Sequence, residues 1–344
     1  MNYRHHFHAG NFADVMKHVL LGQLIHALQR KEKGFLILDT HSGRGIYDLA
    51  QAATGQTQQR VPEHPAGIGR LLSADAPVGR SEGPRIGGSE GRAEAVPPPR
   101  LSGFDPGGLT ESALPSDPPT LRSSDPRVAV AHQPAAILEY IELVRAFDQS
   151  HGNLDGPLRF YPGSPWIARR LMRPQDRLAL CELQEDECLA LRAAFASEPR
   201  TAVHELDGYT GLRAMLPPPE KRALVLIDPP YEAQDEWARI AQGLQDALRR
   251  FPSGVYAVWY PLTDRARLDA FAEELLALRP PSTLIAELEI AGPGQGLRMR
   301  GCGLVILNPP WQFETEARPV LDWMARELAQ GPGARFTLRW LVPE

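Results

Sequence analysis

No apolar run in this 344-residue chain approaches the roughly 18 residues needed to cross a bilayer as a helix. The N-terminus, MNYRHHFHAG, lacks the apolar core of a secretory signal. Cysteine is scarce: Cys181, Cys188 and Cys302 are the three in the chain. An odd number at this spacing matches neither a disulfide framework nor a zinc site. Buried thiols in a reducing cytoplasm are the expectation. A basic excess is missing too. The net charge of −5 argues against a strong non-specific nucleic-acid binder, whose affinity comes from neutralising phosphates, while leaving room for a local basic face. What is present is ordinary for a soluble globular protein: 43% hydrophobic and 23% charged residues. The length suffices for one large core or two modest ones.

Lys, Tyr and Trp are all absent from residues 75–130, where 25 of 56 residues are Pro, Gly or Ser. Such a segment buries too little apolar surface to offset its ordering entropy. It reads as a disordered insert, PPII-like near Pro97-Pro98-Pro99.

Elsewhere strands and helices alternate. Phe12 to Lys31 reads as a helix, apolar at 15, 16, 19, 24, 25 and 28. Strands are expected at 35–39, 177–183, 201–207, 223–228, 254–261, 283–290 and 301–308. Helices are expected at 135–147, up to about 195, up to about 250, and at 262–278. Ser164-Pro165 reads as an N-cap and first helical position. The pattern predicts an α/β fold, doubly wound around a mostly parallel seven-stranded sheet. The last two strands lack a helix between them and should form an antiparallel hairpin at the sheet's edge. Three parts follow: residues 1–50 with the N-terminal helix and first part of the core, 51–160 as a small helical insertion subdomain holding the disordered insert, and 161–344 as the rest of the core.

In open parallel sheets, ligands bind beyond the carboxyl ends of the strands. Four strand ends carry notable residues. Asp39-Thr40-His41-Ser42-Gly43-Arg44-Gly45 places two glycines in a strand-to-helix turn, where backbone can approach a ligand; plain turns use glycine too. Glu182 ends the next strand, where an acid can hold a ribose diol. Asp207-Gly208 could take an adenine amino group or simply form a turn. Asp228-Pro229-Pro230-Tyr231 is the most telling. Two prolines remove two backbone donors, leaving carbonyls and a carboxylate. That surface suits an exocyclic amine with two N–H bonds to give. Hydrogen bonds from the amine to Asp228 and to the Pro229 carbonyl would localise its lone pair, and Asp228 would take the surplus proton after attack. Tyr231 offers a face for a stacked base, worth roughly 1–3 kcal/mol, against the few kcal/mol of extruding it. Asn308-Pro309-Pro310-Trp311 would suit the same chemistry, but its strand should run antiparallel and end at the opposite edge. His5, His6 and His8 lack a neighbouring Cys or carboxylate to complete a metal shell, so no metal is expected. His18 alone reads as well as a core residue. Arg169, Arg170 and Arg173 form a basic helix face, either solvated or placed for phosphate contact.

The stretch Tyr3 to His18, YRHHFHAGNFADVMKH, resembles the start of the bacterial 23S rRNA adenine-N6-methyltransferase J family, as do DTHSGRG, YPGSP (161–165), DPPY and NPPW. The resemblance covers about residues 1–74 and 131–344. It implies a class I, Rossmann-like methyltransferase, cytoplasmic and monomeric, using S-adenosylmethionine to methylate N6 of an adenine in 23S rRNA that is protein-free or early in assembly. It also implies roles. His18, His41, Ser164, Glu182, Asp207, Gly208 and Asp228 would meet the cofactor, with Ser164 at its carboxylate. Asp228, Pro229 and Tyr231 would be catalytic, and Tyr3, His5 and Lys17 would meet the RNA. The insert departs from the family pattern within the helical subdomain. The alternatives are a DNA adenine-N6 methyltransferase, a nucleotide-dependent oxidoreductase using the Gly turn, and a non-catalytic RNA-binding protein.

Overall fold

The computed structural model describes residues 7–54, 61–74, 133–297 and 299–344. Tyr3, His5 and the expected insert at 75–130 lie outside them. The described elements are, in order, α1 (Phe12–Gln29), β1 (Leu36–Asp39), β2 (Ile46–Asp48), α2 (Leu49–Thr54), α3 (Ile68–Ala74), α4 (Ala135–Ser150), β3 (Phe160–Pro162), α5 (Ser164–Leu171), β4 (Arg177–Glu182), α6 (Glu185–Ala194), β5 (Thr201–Glu205), α7 (Gly208–Met215), β6 (Ala223–Ile227), α8 (Glu236–Arg250), β7 (Val255–Pro261), α9 (Arg265–Ala277), β8 (Thr283–Glu289), β9 (Gly301–Leu307), α10 (Phe313–Glu327) and β10 (Arg335–Val342).

The main sheet runs β10-β8-β9-β7-β6-β1-β4-β5. Strands β5, β4, β1, β6 and β7 are mutually parallel, whereas β9 runs antiparallel to β7 and β8, and β10 antiparallel to β8. The α/β class and the antiparallel β8–β9 pair agree with the expectation. The sheet holds eight strands, one more than expected, and the β8–β9 hairpin is not the edge, because β10 covers β8. A small second sheet pairs β2 with β3.

Central strands are buried along their whole length, which is why they read as apolar runs and not as alternations. Side chains alternate between the two faces. On β6, Leu224 and Leu226 join the core under α1, α4, α5 and α10, while Val225 and Ile227 join the core under α7, α8 and α9. Helix α1 starts at Asn11, whose side chain accepts from the N–H groups of Ala13 and Asp14, both at 3.0 Å. It is buried on nearly every side; only His26, Leu28 and Gln29 reach solvent appreciably. That enclosure carries Asp14, Lys17 and His18 into the interior. The three cysteines are buried and free.

Candidate active site

Because β1, β4, β5 and β6 are parallel, Asp39, Glu182, Asp207 and Asp228 emerge at one edge of the sheet. Gly43 (φ +58°) and Gly45 (φ +78°) bend the chain after β1 through backbone angles that favour glycine. The turn opens into strand β2 and not directly into a helix, because β2 finds a partner in β3. Glu182 accepts the Gly43 N–H and the Gln184 N–H, each at 2.8 Å. Burial outweighs these bonds and pushes its carboxyl above the usual range. Arg44 grips Glu187 through two bonds of 2.9 Å, tying the turn to α6.

Ser164 is the first residue of α5, and Gly163 is the N-cap. The expected capping role fails because the Gly163 N–H is held by the Gly45 carbonyl at 2.8 Å and the Ser164 hydroxyl donates to Asp39 at 2.7 Å. Burial pushes Asp39 up to about 6, opposed by the Ser164 bond and reinforced by Asp228. His41 moves the other way. Burial pushes it down to about 4 against the pull of Asp228 and Asp207, so the ring is neutral at physiological pH. Thr40 Oγ1 lies 2.8 Å from its Nδ1.

These opposite shifts have opposite pH slopes. His41 is near 6.5 unfolded and about 4 folded, so its contribution is full above pH 6.5 and fades as pH falls toward 4. Asp39 is near 3.8 unfolded and about 6 folded, so its penalty is full above pH 6 and gone below 3.8. His41→Asn removes only the first slope. Comparing urea unfolding at pH 7 and pH 5, the variant should gain on the wild type by at most about 2 kcal/mol at the lower pH, since the ring keeps some contact with water. An unchanged difference would contradict the buried, neutral imidazole.

Asp207 caps α7: its Oδ2 accepts from the Thr210 N–H at 3.0 Å, and its Oδ1 from Arg239 at 2.8 Å. Carboxylate oxygens have lone pairs to spare beyond these bonds. A Cβ on Gly208 would sit 2.3 Å from the Thr40 carbonyl oxygen and 2.9 Å from His41 Cε1. Gly208→Ala should therefore cost roughly 1–3 kcal/mol of stability in a denaturant titration, by forcing the β1 turn aside. A neutral effect would show that the turn yields.

Helix α1 supplies the basic partner. Lys17 Nζ lies 2.6 Å from Asp228 Oδ2 and 2.9 Å from Asp14 Oδ1. Burial alone would lower its pKa, but the two carboxylates outweigh burial and hold it well above the ordinary lysine value. The Lys17 and Asp14 side chains are 6% and 4% exposed and that of Asp228 is 16% exposed, so Asp228 is the member open to a ligand. Asp14 also accepts the Gly10 N–H at 3.0 Å. One turn along, His18 Nδ1 meets the Tyr161 hydroxyl at 2.9 Å, and Tyr161 meets the Tyr140 hydroxyl at 2.6 Å.

In the DPPY turn, Pro229 is buried and Tyr231 takes a left-handed backbone angle, φ +54°. A tyrosine there stores strain of order 1 kcal/mol. Its hydroxyl donates to the Trp259 carbonyl at 2.6 Å, and its ring packs 4.8 Å from that of Trp237, which holds it in place. Asn308 of NPPW sits at the opposite edge, donating to the Pro252 and Gly254 carbonyls ahead of β7, both at 2.8 Å. Its strand direction and its bonds mark it as a structural turn. The Arg169–Arg173 face is structural as well: Arg169 pairs with Glu198, Arg173 with Asp176, and Arg170 lies over the Trp166 ring. Arg169 and Arg173 are thus tied to acids within the fold, while Arg170 remains exposed on that face. Among the described residues no group of three or more His, Cys, Asp or Glu is arranged to hold a metal.

The structure thus joins Lys17 to Asp228, Ser164 to Asp39, Glu182 to Gly43 and Gly208 to His41. Asp14, Tyr140, Tyr161 and Arg239 were not singled out as site residues from sequence. Asp14 had a signal, lying three residues before Lys17 on one helix face; Arg239 had none.

Comparisons with known proteins show the family. The family model described as "Ribosomal RNA large subunit methyltransferase D, RlmJ" matches residues 127–342. Proteins named "Ribosomal RNA large subunit methyltransferase J" from Escherichia coli and Haemophilus influenzae are 32% and 31% identical, over the full length of both chains in each case. The crystal structure of protein LPL1258 from Legionella pneumophila is 31% identical, covers 96% of this chain and 98% of that one, and superposes with a TM-score of 0.71. The chain belongs to the ribosomal RNA large subunit methyltransferase J family.

Proposed function

We propose that this methyltransferase methylates N6 of an adenine in 23S rRNA, the base being extruded and held by Asp228-Pro229-Pro230-Tyr231. The observation that carries the reading is the buried Lys17–Asp228 contact beside the DPPY turn. Lys17 occupies Oδ2 of Asp228 and fixes the carboxylate. The other oxygen and the Pro229 carbonyl are then acceptors for the two protons of one exocyclic amine. Asp228 takes the surplus proton as the amine is alkylated. Tyr231, pinned through its hydroxyl, gives the base a stacking partner.

The residues present fit S-adenosylmethionine. Its sulfonium and ammonium charges match an edge bearing Asp39, Glu182, Asp207 and Asp228. Gly208 keeps the wall against Thr40 and His41 free of a side chain. Glu182 would hold the ribose hydroxyls and Asp207 the adenine side. His18 and His41 would line the site, and the start of α5 at Ser164 would face the carboxylate. When bound, the cofactor supplies an electrophilic methyl group. Residues 51–160 are proposed to act as a subdomain that contributes to RNA binding, together with Tyr3 and His5.

The test compares labelled-methyl transfer to protein-free 23S rRNA and to DNA of the same sequence. Transfer to RNA alone is the expected result. Transfer to DNA with none to RNA would replace this reading with a DNA adenine methyltransferase.

A further inference from the structure

At the same sheet edge as Asp228, beyond β7, a cavity of about 350 Å³ is lined by Arg265, Arg300 and Arg335 over Glu287 and Glu289. The two carboxylates are the floor. Glu287 is 4% exposed and is held by Arg265 at 3.1 Å and by the Tyr260 hydroxyl at 2.9 Å. Glu289 is 9% exposed and is held by Arg335 at 2.8 Å and Arg300 at 3.4 Å. The guanidiniums are the rim: the side chains of Arg265, Arg300 and Arg335 are 50%, 34% and 65% exposed. Water therefore meets three guanidiniums while both floor carboxylates are covered, and on Arg265 it also meets Asp269, 63% exposed and 3.4 Å from the guanidinium. The covered Glu289 fixes the forks of Arg300 and Arg335 from beneath, which gives a chain of net charge −5 a local cationic rim.

The cup is joined to the active site. β8 runs parallel to β7 through the intervening β9, so Glu287 and Glu289 point to the edge that carries Asp228. Three strand spacings separate β6 from β8, about 14 Å. The Tyr231 ring packs on Trp237 at 4.8 Å, Trp237 approaches Tyr260 at 6.3 Å, and Tyr260 bonds Glu287 beneath Arg265.

We infer that the Arg265–Arg300–Arg335 cup is a docking site for the phosphate backbone of the RNA strand flanking the extruded base. The inference rests on the rRNA reading above and adds the surface that sets substrate affinity. Guanidinium forks suit phosphate oxygens, and contacts at this distance fix register without reading sequence.

The experiment measures equilibrium binding of a protein-free 23S rRNA fragment across a salt series, with methyl transfer in the same samples. The variants are Arg300→Gln/Arg335→Gln, and the same pair with Glu289→Gln, which removes the buried charge along with its partners and guards against misfolding. Both should bind RNA about tenfold more weakly, with the salt slope reduced by about 1.5, because two phosphate contacts are lost. Turnover at saturating RNA and cofactor affinity should stay within about twofold of wild type. Affinity and slope unchanged in both variants would overturn the cup. Variants that lose RNA affinity and slope while the wild type binds RNA but transfers no methyl group would support the cup and contradict the reaction instead.

Discussion

Asp228→Ala is expected to bind S-adenosylmethionine within about tenfold of the wild type and to lose roughly 10²–10⁴ of its turnover, the span usual for a positioned acid–base group. The fold should survive, because Lys17 keeps its 2.9 Å partner Asp14. What disappears is the acceptor that orients the amine and receives its proton. Loss confined to kcat, with KM for RNA little changed, would mark an interaction made mainly in the transition state. Asp228→Asn keeps an acceptor oxygen but cannot take the proton as a carboxylate does, so it should fall between the two. An Ala variant with near-normal turnover would remove Asp228 from the chemistry.

Lys17→Met should be costly in a different way. It leaves Asp14 and Asp228 close together without the cation between them, and Asp14 is almost wholly buried. Removing one partner of such a cluster costs roughly 3–5 kcal/mol, more than the pair itself contributes, because the remaining charge is stranded. A denaturant titration should show that loss. Asp14→Asn/Lys17→Met removes the stranded charge and should recover much of the stability. Turnover should stay low in the double variant, because nothing then fixes Asp228 Oδ2. Recovery of both stability and turnover would make Lys17 a packing residue and no positioning residue.

The sequence made the parallel core legible because buried strands are written as apolar runs, and strand ends at Asp39, Glu182 and Asp228 fell within a residue of the observed bounds. The edge was harder to read. β10 alternates charged and apolar residues, RFTLRWLV, as a half-exposed strand must, and it follows a Gly/Pro turn that masks its start. β2 and β3 are three residues each, too short for any periodicity to register. The site divides the same way. Motif residues such as Asp228 and Gly208 carry their chemistry in their type and place. Lys17 reads as an ordinary helix lysine until the enclosure of α1 turns it inward against a carboxylate 211 positions away. Ser164 shows the limit of local rules, since its hydroxyl goes to a buried acid and not to its own helix.

The most direct test follows labelled methyl from S-adenosylmethionine into protein-free 23S rRNA, with the product digested to nucleosides, for the wild type and Asp228→Ala side by side. N6-methyladenosine from the wild type and almost none from the variant is the predicted result. Label in another nucleoside, or equal N6-methyladenosine from both proteins, would contradict an adenine amine held and activated by the DPPY turn.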